Sequence, residues 1–166
     1  MLHKELWNKT HSHLQMLMKE EISSMREILA NMHQEELILM INDRACLVQI
    51  MHERSQLLGN LKDLRLERLN TTEKLKKLAQ IDNEGASLET ILALDSVYAC
   101  ETFSLRDQML ALVERMNLQH SRNTLLADYP PHRWNVMGQF NKGQVAVAHR
   151  TKKRVSIVID PEDVEM

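Results

Sequence analysis

His52 and Glu53 open the segment HERSQ, which begins like the zinc-protease signature H-E-x-x-H, two histidines one helical turn apart with a glutamate as general base. Gln56 stands where the second histidine is required, so a zinc site of that type cannot be completed. His11 and His13 are two residues apart, which puts them on different sides of a helix, and no cysteine lies near them to fill a tetrahedral set. The eight histidines therefore read as solvated or capping residues, and no metal is expected. The two cysteines, Cys46 and Cys100, sit in helical patterns without C-x-x-C spacing, and both are expected to be free, buried thiols. With no Gly-rich phosphate loop, no G-x-S-x-G elbow and no Cys–His pairing at a recognisable spacing, neither a cofactor nor an enzyme is expected. A binding protein is the better class.

The elements that would carry such a function follow from punctuation. The chain of 166 residues has 4 glycines and 3 prolines, and neither occurs before Gly59. Each is costly inside a helix, so long stretches without them favour long helices. Leu14, Met18, Met25, Ile28, Met32, Leu37 and Met40 recur at steps near three, four and seven, one face of a first helix over about 1–41. Asn42 and Asp43 have N-cap chemistry and predict a break, after which Leu47, Ile50, Leu57, Leu61, Leu64 and Leu75 mark a second helix over about 43–81. Gly59, inside that pattern, is expected to let another helix approach closely. DNEGAS, Asp82 to Ser87, is the clearest loop, and a third helix over about 87–128 must end before YPPH, because a residue preceding proline is pushed out of the helical region. Rods of about 40 residues would each be about 60 Å long at about 1.5 Å per residue. The predicted fold is all-α: residues 1–128 form an elongated antiparallel bundle of three long helices, and 129–166 form a C-terminal tail.

The third helix has two apolar stripes where a surface helix needs one. Ile91, Tyr98, Leu105, Met109, Leu112 and Met116 form the first; Leu92, Ala99, Phe103, Leu110 and Val113 form the second, displaced around the axis. Two partners are implied. Either this helix lies in the middle of the bundle, or one stripe is free for a helix from another chain. Methionine use tilts the choice toward the second: 11 residues are Met, several of them at stripe positions, and flexible thioethers suit surfaces that repack around different apolar partners.

The tail differs from the bundle. Tyr129, Trp134 and Phe140, half of the six aromatics, fall within twelve residues. Up to Asp128 the chain holds 15 Lys or Arg against 19 Asp or Glu, a balance of -4, and from Tyr129 onward 6 against 4, a balance of +2. The basic run HRTKKR lacks an RNA-binding aromatic motif or a base-reading scaffold, so it reads as solvated charge and no nucleic-acid partner is expected. QVAVAH and RVSIVID have the alternation of strands joined by a short turn, which could pair as a short β-hairpin or add to another sheet.

Apolar runs such as LILMI, Leu37 to Ile41, fall far short of the roughly 20 residues that span a bilayer, so no membrane span is expected. The start, MLHKELWNKTHSHLQ, lacks the basic, apolar and small-residue order of a secretory signal, and a cytosolic protein is expected.

ERSQLLGNL at 53–61, ERMNLQHSRNTLLADY at 114–129, WNVMGQ at 134–139 and HRTKKRVSI at 149–157 are spread over the span from Glu35 to Ile159, and together they resemble the FlgN-like export chaperones of flagellar and related type III secretion systems. ERSQLLGNL, Glu53 to Leu61, is similar to the family segment in which a charged residue precedes a leucine pair and a further leucine at helical spacing. ERMNLQHSRNTLLADY, Glu114 to Tyr129, resembles the end of the family's last helix, with Asn117 and Asn123 in an Asn-rich, leucine-bearing pattern. WNVMGQ, Trp134 to Gln139, stands where the family usually reads Tyr-Gly-x-x-Gly; Trp134 occupies the Tyr position and Asn135 replaces the first Gly. HRTKKRVSI resembles the small basic ending.

The resemblance implies a bacterial cytoplasmic chaperone that holds the C-terminal amphipathic helix of an exported axial protein, of the hook-filament junction kind, and delivers it to the export gate. Together with the second stripe, it assigns client-helix binding to Phe103, Leu110, Val113, Met116, Asn123 and Leu125. Docking to the gate's cytosolic domain falls to Trp134, Val136, Gly138 and Phe140. The secretion ATPase and a second copy of the chain are further candidate partners. The alternative from another class is a structural coiled-coil stalk or scaffold component of the secretion ATPase complex, against which stand the broad apolar stripes and the aromatic tail.

Overall fold

The computed structural model describes residues 2–80, 88–92 and 96–128 of the chain. The loop expected over 82–87 and the whole tail, with its β-hairpin and its gate-docking residues Trp134, Val136, Gly138 and Phe140, lie outside the described residues. Nearly all of what is described is helical: α1, Leu2–Ile41; α2, Arg44–Leu78; α3, Leu88–Leu92; and α4, Ser96–Asp128. The last two cover the span expected of one third helix, with 93–95 outside the described residues.

The turn between α1 and α2 is built from two residues. Asn42 takes a left-handed conformation, φ 57°, one that asparagine tolerates better than most non-glycine residues. Its N–H donates to the Leu39 carbonyl at 3.3 Å and the Asp43 N–H to the Ile38 carbonyl at 3.2 Å, the paired bonds of a Schellman ending that satisfy carbonyls left over at the end of α1. Asp43 then caps α2, its carboxylate accepting from the N–H groups of Ala45 and Cys46, each at 3.1 Å. At the far end Lys76 and Lys77 occupy the last turn of α2, where positive charge complements the exposed carbonyls.

Cross-links between helices give their directions. Arg68 of α2 meets Glu21 of α1, and Arg54 of α2 meets Glu35, so α2 runs antiparallel to α1. Gln15 of α1 meets Thr102 of α4, and Asn123 of α4 meets Met32, so α4 runs parallel to α1, as the third rod of an up-down-up bundle must. Both α2 and α4 pack along α1. The helix with partners on two sides is therefore α1, so of the two alternatives left open for the third helix, the middle place falls away. The core cluster shows why: Leu14, Met18, Ile22, Met25, Ile28 and Met32 of α1 meet Ile91 and Leu92 of α3, Leu105, Met109, Leu112, Val113 and Met116 of α4, and Leu75 of α2. Leu92 and Val113, taken from the second stripe, share this cluster with the first stripe, so the two stripes merge over much of their length.

Four expectations change. Leu37 and Met40 are 64% and 51% exposed, so the buried face of α1 ends at Met32. They join Ile41, Val48 and Met51 in an exposed apolar tip around the turn. Among the described residues nothing lies within 4 Å of the position a Cβ would take at Gly59, so none of the described helices approaches closely there. Cys46 and Cys100 are free but exposed, because Cys46 lies in the first turn of α2 at the projecting tip and Cys100 on the outer side of α4. Lastly, most of the leucines of α2 are only half-buried; its fully covered positions include Arg54, Arg68, Thr71 and Thr72. The two threonines can be buried because each hydroxyl donates to a carbonyl one turn back, Thr71 to Glu67 at 2.9 Å and Thr72 to Arg68 at 3.0 Å.

Candidate interaction surface

Phe103, Leu110, Leu118 and Leu125 lie seven, eight and seven residues apart along α4, one row on one side of the helix. Phe103 and Leu110 are half-buried against the core, whereas Leu118 and Leu125 are 61% and 62% exposed. The Arg106 guanidinium lies 5.2 Å from the centre of the Phe103 ring, a cation–π contact at the start of the row. Beside Leu118 an open groove is lined by Leu110, Val113, Glu114, Asn117 and Ser121. On its other side a second groove runs between α4 and α1, lined by Arg115, Gln119 and Arg122 with Leu29 and His33.

The six residues expected to bind a client helix separate into two groups. Phe103, Leu110 and Leu125 border the open row. Val113 and Met116 are 1% and 3% exposed in the core, and Asn123 is 2% exposed, so these three are occupied by the chain's own packing. Met116 also closes a small cavity with Ile28, Met32, Arg54 and Leu58 between the three long helices. Leu118, the most accessible leucine between the two grooves, was missed because it belongs to neither stripe of the sequence pattern.

Sequence reasoning also missed the polar interior. The Glu35 carboxylate accepts from the Arg54 guanidinium at 2.8 Å and from the Asn123 amide, tying α1, α2 and α4 together. Arg54 donates a second bond to the Asn31 side chain at 2.8 Å, Asn31 donates to the Ile50 carbonyl at 3.1 Å, and Gln119 bridges Asn123 at 2.9 Å and Glu36 at 2.6 Å. Asn31 with Glu35 and Gln119 with Asn123 are each four residues apart, the spacing that could have signalled a polar seam. A second buried pair, Arg68 with Glu21 at 2.6 Å, stands two-thirds of the way along α2. Burial pushes the Glu21 carboxyl above its ordinary range, and the charges of Arg68 and Arg65 oppose that shift. Near the other end of α1, His11 stacks on Tyr98 with centroids 4.7 Å apart and meets Trp7 edge-on at 4.5 Å.

His52 and Gln56, the would-be zinc pair, share a side-chain hydrogen bond at 3.2 Å on an exposed face. Among the described residues no group of three His, Cys, Asp or Glu side chains could hold a metal ion, and no helix is long and apolar enough to cross a membrane. What the arrangement offers is a helix face with an apolar row, two flanking grooves and a rigid polar frame behind them. No family model matches the chain, and neither the curated proteins nor the solved structures give a match.

Proposed function

We propose that the protein is a FlgN-like cytosolic secretion chaperone, which holds the C-terminal amphipathic helix of an exported axial protein along α4 and presents it to the type III export gate. The observation that carries this reading is the row Phe103, Leu110, Leu118 and Leu125, apolar at helical spacing and without a covering element among the described residues at Leu118 and Leu125. A polymerising helix is apolar on one face and aggregates when exposed; laying that face into a groove prevents this. The contact must also be reversible. A shallow row that leaves the core of the chaperone intact suits modest affinity better than an interface built from the chaperone's own interior. Trp134, Val136, Gly138 and Phe140 of the tail serve the gate in this reading, so cargo and gate engage different segments. The test is to titrate the full-length protein with C-terminal helices of exported axial proteins encoded in the same genome. Saturable one-to-one binding that also suppresses the helix's aggregation is expected; no binding to any of them contradicts the reading.

A further inference from the structure

The exposed leucine at the middle of the row has an asymmetric charge environment. Arg115 and Arg122 line the groove on the α1 side of Leu118, and Glu114 lines the groove on the other. The two arginines are seven residues apart, about 10.5 Å along the axis at about 1.5 Å per residue. Both are exposed, and neither forms an ion pair among the described residues, although the bundle as far as Asp128 has more acids than bases. His33, which also lines this groove, stands 3.8 Å from Glu36. The apolar floor between the arginines is Leu29 and Leu118.

From this we infer that the occupant of the α4 row is an amphipathic helix with acidic residues seven apart along one edge of its apolar face, seated with that edge against Arg115 and Arg122. The inference rests on the helix-binding reading above and names the chemistry of what is bound. Two carboxylates one heptad apart repeat the spacing of the two guanidiniums, which accept bidentate approach better than lysines would. Glu114 on the opposite side disfavours a helix that is acidic on both edges, so charge fixes which way the ligand lies as well as which helix is chosen. The pairs are solvent-exposed, so their effect is on selectivity and on association rate more than on total affinity, and it falls with salt.

The experiment uses the full-length protein and three synthetic amphipathic peptides with the same leucine row, carrying at two edge positions seven apart either Glu, Gln or Lys. The Glu peptide is expected to bind about three- to tenfold more tightly than the Gln peptide at low salt, as two exposed pairs allow, with the Lys peptide weakest. That preference should vanish in Arg115→Gln/Arg122→Gln, whose sites are on the surface and whose helicity should be unchanged. Equal affinity for the Glu and Gln peptides overturns the charge inference and leaves helix binding standing. Failure of all three to bind overturns both. Arginine-dependent binding to anionic lipid vesicles or to an RNA oligomer, tighter than to the Glu peptide, overturns the assignment of a helix as the ligand.

Discussion

Arg54 of α2 and Glu35 of α1 form an ion pair at 2.8 Å, with side chains only 7% and 12% exposed, at the level where Asn123 of α4 bonds to the same carboxylate. One acceptor therefore fixes three helices in one relative position. Buried charges of this kind contribute little net stability when intact, because desolvation offsets their attraction, but they are costly to break.

Glu35→Ala should accordingly destabilise the protein by about 3–5 kcal/mol, since it leaves the Arg54 guanidinium buried without its counter-charge. Denaturant unfolding of the variant beside Glu35→Gln checks this. The amide keeps an acceptor for Arg54, so the second variant should lose less.

The Glu21 carboxyl gives a pH dependence of definite sign. Its folded-state pKa is raised by burial, against the opposing charges of Arg68 and Arg65, so the folded chain holds this proton more tightly than the unfolded chain does. Its contribution to stability is therefore full below the ordinary carboxylate pKa and declines as pH rises through the raised value. Measured from about pH 4 upward, a range that starts near the ordinary carboxylate pKa, the stability curve of Glu21→Gln should lack this decline relative to wild type.

Asp43 titrates in the opposite sense. Bonds from the backbone N–H of Cys46, then from its thiol, and from the N–H of Ala45, hold the carboxyl below its ordinary range. The cap's contribution is present at neutral pH and is lost as pH falls through that depressed value. The same contact holds the Cys46 thiol up, through its hydrogen bond to Asp43 and the nearby negative charge. Asp43→Asn should flatten the acid limb of the stability curve and speed alkylation of Cys46 at pH 8. An unchanged alkylation rate counts against the contact.

Gly59 sits mid-helix with open space around it. Gly59→Ala is expected to stabilise by about 0.5–1 kcal/mol, through helix propensity and a less flexible unfolded chain. Thermal melts of the purified variant test it; a loss of stability would show that a neighbour occupies this space.

The helical course of the chain was readable because it depends on local signals. The absence of Gly and Pro before Gly59, the Asn42–Asp43 pair and the core positions from Leu14 to Met32 all act within a few residues of themselves. The arrangement of the helices depends on contacts between distant residues. Periodicity could not tell that α1 would take the central place, nor that the stripe would stop before Leu37, because an apolar residue at the right spacing is buried only if a partner helix covers it. The same limit applied to the candidate surface. Val113 looked like Leu110 in the pattern, and both line the groove, yet Val113 is sunk in the core while Leu110 stays half-exposed; Arg54, which no pattern singled out, and Asn123, expected to meet a client helix, are buried by pairing through Glu35.

The central claim, that the outer row of α4 holds a client helix, is tested most directly by Leu118→Asp/Leu125→Asp. Both side chains are more than half exposed, so the variant should keep its helicity and unfold within about 1 kcal/mol of wild type, the range for two surface changes. Carboxylates in the row cannot be satisfied beneath an apolar helix face, so affinity for the axial-protein helix should fall by at least about tenfold, or about 1.4 kcal/mol. Unchanged affinity in the folded double variant would contradict the claim and leave the bundle free to serve as a scaffold.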